Sequence, residues 1–409
     1  MFSRSIVTLF SFLCLATSVC AGQAEWPGWL GAQRDGIVTI PFQAPAAWPK
    51  KLTEVWKADV GAGYSSPVFD GKTVYLQTRS ETQEFLTAFD ASNGNPLWQQ
   101  KLEALTDPMS HEPAATPTLH AGSIYVHSLK GTVYKLNAAD GHIAWRRDLP
   151  KEWKGESYRP RYGVAASPLI VGDTLALPIG DKEAGKALAL KLSDGSTAWE
   201  QPCAAPGYGS FVAMKLGGEE CLVTVLFERV AAFKKDGTRF VPAFTHELAG
   251  GADGNSTTPI ALGPDRLVVT GHDATVVLNV APGAAKCDEL WKIERAGNLS
   301  SPLCVNGRIY LFDENDLQCV DPANGKLLSK LEMPAQYGAL LAWDNMLLCR
   351  LHDGTLKFVD MRAPDMKLAA EYPSDDEKGD SWSAPCPISP TQLVMRNGEK
   401  LRCLTWTNK

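Results

Sequence analysis

Eight copies of one short pattern run along this chain, and they restrict its fold more than any other feature. Six are clear: SSPVFDGKTVYLQT from Ser65, ATPTLHAGSIYVHS from Ala115, ASPLIVGDTLALPI from Ala166, TTPIALGPDRLVVT from Thr257, SSPLCVNGRIYLFD from Ser300 and SAPCPISPTQLVMR from Ser383. Two degenerate copies, SFVAMKLGGEECLVTV from Ser210 and GALLAWDNMLLCRL from Gly338, fill the gaps. Each opens on a small-residue-Pro turn and a short apolar strand. A tight-turn pair follows, such as Asp70-Gly71, Ala121-Gly122, Gly172-Asp173 or Asn306-Gly307, and then a β-rich run. A third strand leads to an Asp/Asn-x-x-x-Gly turn and a last strand that often carries Trp. Four short antiparallel strands per roughly 40–50 residues is the pattern of a propeller blade. The expected fold is all-β, an eight-bladed propeller of four-stranded antiparallel blades.

The eighth copy stops after its third strand, GEKLRCLTW, while an orphan strand, LTEVWKADV (52–60), precedes the first copy. Closing the ring with that N-terminal strand leaves no open sheet edge. The chain therefore divides into a leader (1–21), an N-terminal arm (22–51) and the ring (52–409).

Gly and Trp recur four residues apart, as in NAADGHIAW (137–145) and DASNGNPLW (90–98). Asn137 suits an Asx turn and Gly141 a positive φ, so together they turn strand three into strand four. Trp145 then lies on the outer strand, where its ring can wedge between neighbouring blades. Trp56, Trp98, Trp199 and Trp291 hold comparable places, and in the sixth copy Ser329 stands where Trp is expected.

These residues carry a resemblance. AFDASNGNPLW and KLNAADGHIAW resemble the repeat of the pyrroloquinoline-quinone (PQQ) propellers. WPGWLGAQRDGI (26–37) resembles the W-P-x-W-x-G-x-x-R-D-G opening of exported PQQ-like propeller proteins. The repeat resemblance spans about 53–409 and is weak in the fourth and seventh copies. It implies the fold, not the function, because quinoprotein dehydrogenases and the non-enzymatic propeller of outer-membrane protein assembly share the repeat. The dehydrogenases hold PQQ with a calcium ion at the axis and use vicinal cysteines, which this chain lacks. Their calcium ligands map onto no residue here, so PQQ with calcium is the disfavoured alternative.

The remaining motifs narrow the function classes. GxSxG, HExxH, P-loop and GxGxxG patterns are missing. Formal net charge is −6 and no basic stripe occurs, which disfavours nucleic acid. The opening MFSRSIVTLFSFLCLATSVCAG reads as an export signal: Arg4, an apolar stretch at 6–19, and cleavage after Ala21. Acylation of Cys20 is the other reading, with Val19 where a small residue normally stands. No later segment is long and apolar enough to span a bilayer. Eight cysteines remain after cleavage, without CxxC, so a zinc or thioredoxin-like site is unsupported. Cys304, Cys349 and Cys386 read as small buried hydrophobes. DENDLQC (313–319) lacks the Gly and distal Glu of a calcium loop and reads as a hairpin turn. SDDEKGDS (374–381) reads as a solvated acidic loop.

The site candidates come from the repeat itself. Residues just before each inner strand converge on one mouth of the central channel. Those entries present Tyr64, His111, Glu112, Arg161, Tyr162, Tyr208, Asn255, Asn298, Tyr337 and Trp382. Aromatic, amide and charged groups around a concavity suit a small polar ligand or a protein segment. Equally, large side chains there can simply plug the channel. His111–Glu112 is the one His-acid neighbour pair of the ring, and no catalytic residue is assigned. Trp26, Trp29 and the Arg34-Asp35-Gly36 turn are expected to cover the side or bottom of the propeller and help latch it, with a partner-binding edge as the other reading. The expected protein is an exported, monomeric binding or scaffold propeller of the periplasm or cell envelope. A quinone-cofactor oxidoreductase using the channel is the alternative.

Overall fold

The computed structural model describes residues 25–407 apart from 106–111, 154–162, 252–253, 295–298, 314, 334–336, 363–364 and 375–382. The expected leader, Cys20 and most of the acidic loop lie outside the described residues. Eight antiparallel sheets follow one another along the chain: 68–104, 118–148, 169–203, 212–247, 260–294, 303–332, 338–372 and 386–405. They are blades 1 to 8. Blade 8 is completed by Thr53–Asp59, which pairs antiparallel with Lys400–Thr405. The N-terminal strand thus closes the ring as expected.

The first strand of each blade is innermost, since these strands meet their counterparts in neighbouring blades. Their hydroxyl-bearing entries form a chain around the axis. The Ser66 amide donates to Thr116 Oγ1 (3.2 Å), the Thr116 amide to Ser167 Oγ (2.9 Å), and the Ser167 amide to Ser210 Oγ (2.8 Å). The Thr258 amide likewise donates to Ser301 Oγ, and the Ala384 amide to Ser66 Oγ across the closure. The inner strands have no sheet neighbour toward the axis, so these buried amides need side-chain acceptors. That requirement explains why Ser or Thr precedes Pro in most copies.

The outer strands share a second device. In every blade the pairing of strand four with strand three slips by one residue just before the Trp position. Such a bulge re-aims the side chain that follows it. The positions after the bulge are Trp56, Trp98, Trp145, Trp199, Phe244, Trp291, Ser329 and Ala370. Where Trp is present and the next blade has the Gly turn, the two meet. Trp56 packs on Gly94, Trp98 on Gly141, Trp145 on Gly195 and Trp291 on Gly325. Each indole Nε1 also donates to a carbonyl of that turn: Ala91, Ala138, Leu192 and Pro322.

Three seams lack the Trp: Phe244 supplies another ring beside blade 5, and the other two are filled otherwise. Beyond Ser329, Met333, Met361 and Met366 fill the space between blades 6 and 7. Beyond Ala370, the filler comes from the N-terminal arm. Trp48 lies 4.6 Å from the Phe358 ring and Phe42 lies 5.3 Å from Trp406, both in the largest core cluster. Trp343 Nε1 donates to the Ile40 carbonyl, Trp406 Nε1 to that of Gln43, and the Tyr372 hydroxyl to that of Pro49. The arm therefore runs along the seam between blades 7 and 8 before it becomes the outer strand of blade 8.

The eight cysteines at 203–403 are free thiols, and Cys349 and Cys386 are buried as expected, while Cys304 is half-buried. Asp313 and Asp316 pair across a hairpin, as expected of that segment.

Candidate functional site

The start of the arm crosses one end of the channel. Trp26 bridges Phe69 of blade 1, and the Leu119 amide of blade 2 donates to the Pro27 carbonyl. Trp29 Nε1 donates to Thr258 Oγ1 of blade 5 (2.8 Å). Ile37–Val38 then adds a parallel strand to the inner edge of blade 7. A segment of 13 residues reaches opposite sides of the ring only by passing across the axis.

Arg34 is the centre of this plug. It is 3% exposed, and its guanidinium donates to the carbonyls of Ser167, Pro168 and Phe211 in blades 3 and 4. No carboxylate pairs with it among the described residues, and burial lowers its pKa to about 9. The fork geometry of guanidinium suits several carbonyls at once, which lysine does not match. Gly31 is needed because a Cβ there would sit 2.8 Å from the Trp26 ring, at φ +86°.

Trp26 and Val38 meet the inner strands of blades 1 and 7 at their ends, Phe69 and Trp343. Arg34 and Trp29 reach deeper, to residues just before the inner strands of blades 3, 4 and 5. The entries themselves form the mouth away from Phe69 and Trp343. There the structure describes Tyr64, Glu112, Tyr208, Asn255 and Tyr337; His111, Arg161, Tyr162, Asn298 and Trp382 lie outside the described residues. Tyr64, Tyr208 and Tyr337 are half-buried. The Tyr64 amide donates to the Pro113 carbonyl, and the Tyr208 amide to that of Asn255, so adjacent entries touch. The Tyr337 ring lies 4.6 Å from that of His352.

Two candidates have structural partners that sequence reading did not supply. Glu112 forms a two-pronged ion pair with Arg79, both contacts at 3.0 Å, joining blades 1 and 2. Planar fork pairing of this kind holds geometry as well as charge. Asn255 is 2% exposed. Its amide nitrogen donates to the Leu226, Phe227 and Leu248 carbonyls, and its oxygen accepts from the His272 amide. Asn255 thus knits blade 4 to blade 5 and does not face the mouth. Beside Tyr208, a recess of about 250 Å³, including its open side, is lined by His127, Val164, Ala166, Ile179, Pro206 and Gly207.

A line of buried donors behind the mouth also escaped the sequence. Equivalent positions near the end of the second strand hold Arg350, Arg396, Gln77 and His127 in blades 7, 8, 1 and 2. Arg350 donates to the Arg396 carbonyl, Arg396 to that of Gln77 (3.4 Å), Gln77 to that of His127 (3.2 Å), and His127 Nδ1 contacts that of Ala166 (3.2 Å). Arg396 also explains the GAGY entry: a Cβ on Gly63 would lie 2.5 Å from its Nη1. The signal was a polar residue at a repeat position that is Pro178 in blade 3 and Phe312 in blade 6.

Among the described residues no group of three His, Cys, Asp or Glu able to hold a metal occurs. No helix among them is long and apolar enough to cross a membrane.

A family model described as outer membrane protein assembly factor BamB matches residues 49–219. The BamB of Yersinia pestis is 27% identical over 286 residues, covering 64% of this chain and 66% of that protein. The Escherichia coli K12 BamB is 31% identical over 109 residues, 24% of this chain and 27% of that protein. The chain thus matches just under two thirds of the first relative's length and much less of the second. Among solved structures, a quinohemoprotein alcohol dehydrogenase from Comamonas testosteroni superposes with a TM-score of 0.71 at 12% identity, over 94% of this chain and 81% of that one. BamB from Moraxella catarrhalis gives 0.54 at 18%, over 79% and 96%. At such identities both likenesses speak for the fold alone.

Proposed function

We propose that the chain is a PQQ-like β-propeller that serves as a non-enzymatic binding scaffold of the periplasm or cell envelope, a reading supported by the family-model match over residues 49–219 and by the Yersinia pestis relative. Its export signal is residues 1–21, its arm 22–51 and its ring 52–409, and it acts as a monomer. It engages a protein segment, or a small polar ligand, at the mouth bearing Tyr64, Tyr208 and Tyr337. The relatives named for outer-membrane protein assembly support the protein-binding reading.

The observation that carries this choice of face is Arg34. The arm enters the channel from the end where it meets Phe69 and Trp343 and carries this guanidinium in to Ser167, Pro168 and Phe211, which leaves the mouth bearing Tyr64, Tyr208 and Tyr337 for a partner. Propeller faces suit such work because rigid strands hold many loops in one plane.

Photo-crosslinking groups placed singly at Tyr64, Tyr208 and Tyr337, with Asn93 and Asp194 as controls at the outer turns, test it in cells. Adducts to an envelope protein from the mouth positions alone are the expected result. Equal labelling from both sets rejects the assigned face. A saturable rise in melting temperature with PQQ and calcium rejects the scaffold reading, because a ligand that binds only the folded state must stabilise it.

A further inference from the structure

Behind the mouth, between blades 1 and 2, lies a wholly buried carboxylate with no cation in ion-pair contact among the described residues. Glu84 is 0% exposed. Its Oε1 accepts from Gln77 Nε2 (2.5 Å) and from the Leu129 amide (3.1 Å), and its Oε2 from the same amide (3.3 Å). Gln77 Nε2 also donates across the seam to the His127 carbonyl (3.2 Å). Gln77 Oε1 is buried and has no hydrogen-bond partner among the described residues.

This arrangement contains two alternatives. With Glu84 ionised, the Gln77 amide must aim its nitrogen at the carboxylate, which leaves Oε1 idle. With Glu84 protonated, its new O–H requires an acceptor, and the idle Gln77 Oε1 is the side-chain acceptor beside it. Accepting that bond turns the amide over and takes Nε2 away from the His127 carbonyl. The ionised state leaves Gln77 Oε1 idle, whereas the turned-over state parts Nε2 from the His127 carbonyl, so hydrogen bonding favours the ionised arrangement and the cost of a buried charge opposes it. We propose that Glu84 and Gln77 form a proton-operated clasp, which ties blade 1 to the His127 carbonyl of blade 2 when Glu84 is ionised and releases it when Glu84 takes up a proton from solvent.

The surroundings favour a transition at moderate pH. Burial holds the Glu84 carboxyl up at about 7, against the hydrogen bonds from Gln77 and Leu129. Glu103 raises it further and Lys130 lowers it. The Lys130 ammonium is engaged with the Ala104 carbonyl, and the Tyr134 hydroxyl donates to Glu103, with Arg146 close by. The His127 imidazole is kept neutral by burial, with a pKa of about 4. Across the range where Glu84 changes charge, the His127 imidazole is therefore already neutral.

The output reaches the entry of blade 3. The Val164 amide donates to the Leu129 carbonyl (3.1 Å), and His127 Nδ1 contacts the Ala166 carbonyl. Val164 and Ala166 line the recess beside Tyr208.

The test is an NMR titration of the whole protein from pH 5 to 9 with ¹³C-labelled carboxyl and side-chain amide groups. The Glu84 carboxyl carbon and the Gln77 side-chain amide are expected to shift together with one midpoint near 7. Glu84→Gln should leave the Gln77 amide still. Gln77→Leu should leave Glu84 titrating while the His127 carbonyl no longer responds. A Glu84 carbon that stays constant over this range overturns the proposal. So does a Glu84 that titrates while the Gln77 amide does not move. Through-bond assignment of Glu84 in the unaltered chain keeps the test independent of whether either variant folds.

Discussion

Trp98 of blade 1 lies on Gly141 of blade 2 so closely that a Cβ at position 141 would stand 2.5 Å from Cε3 of the indole. Gly and Trp are four residues apart in the motif, yet each meets the other's counterpart in the adjacent copy. The repeat is thus written for pairs of blades.

Gly141→Ala is expected to cost about 2–4 kcal/mol, combining a left-handed backbone with overpacking against Trp98. Gly122→Ala supplies the control. Gly122 has a similar φ (+73° against +72°) but nothing within 4 Å of its Cβ site. It should cost only about 1–2 kcal/mol. Urea midpoints at unchanged slope measure both. Equal losses would mean that contact with the ring contributes nothing.

The closing strand makes a sharper demand. Deleting 52–60 removes Trp56 from Gly94 and strips the pairing from Lys400–Thr405. A large fall in melting temperature and exposure of the last blade to protease are expected. A stable, protease-resistant product would show that the ring closes by other means.

The arm's aromatic filler predicts a compensation. Trp48→Ala should destabilise by about 3 kcal/mol, since a large ring leaves a gap between blades 7 and 8. Ala370→Trp restores a ring at the vacant post-bulge position of blade 7. In the Trp48→Ala background it should recover part of that loss, whereas with Trp48 in place it overpacks the seam. A double-mutant cycle reads the coupling. Additive effects would deny that the two positions share one space.

Glu84 and His127 act oppositely on stability. The folded pKa of Glu84, about 7, lies above its ordinary 4.5, so its contribution is full below 4.5 and lost as pH rises through 7. The folded pKa of His127, about 4, lies below its ordinary 6.5, so its contribution is full above 6.5 and lost as pH falls through 4. Between about 4.5 and 6.5 the two slopes cancel. Glu84→Gln removes one of them, so the variant should gain stability with rising pH across that window, by on the order of 3 kcal/mol. Denaturant midpoints at pH 4.5, 5.5 and 6.5 check this. A variant as flat as the parent would place the pH response elsewhere.

The mouth was only partly legible in the sequence. Tyr64, Tyr208 and Tyr337 could be assigned to it because the repeat fixes where each entry lies along the chain. Asn255 could not be told apart from them, because its amide is consumed by the carbonyls of Leu226, Phe227 and Leu248, at most 29 residues away in sequence but across a blade boundary. Glu112 was visible, but its partner Arg79, 33 residues earlier, was not. Side-chain pairing between blades leaves no periodic trace.

The sequence alone determined the blade count, the four-strand grammar, the closing strand and the turn-and-Trp device. The four-strand grammar recurs eight times and the Trp position is filled by Trp in five of them, and repetition makes a weak local signal strong; the closing strand is the piece that this grammar leaves over. The tertiary structure alone decided where the arm crosses the ring, what fills the seam beside Ala370, and where the buried donors Arg34, Arg350, Arg396, Gln77 and His127 find carbonyls. These depend on distances between segments up to hundreds of residues apart. In a single copy such a contact occurs once, and once is not a pattern. The Ser66, Thr116 and Ser167 hydroxyls show the boundary between the two. Their recurrence was plain in the sequence, but their purpose, a chain of bonds from each inner amide to the next blade, appears only when the ring is closed.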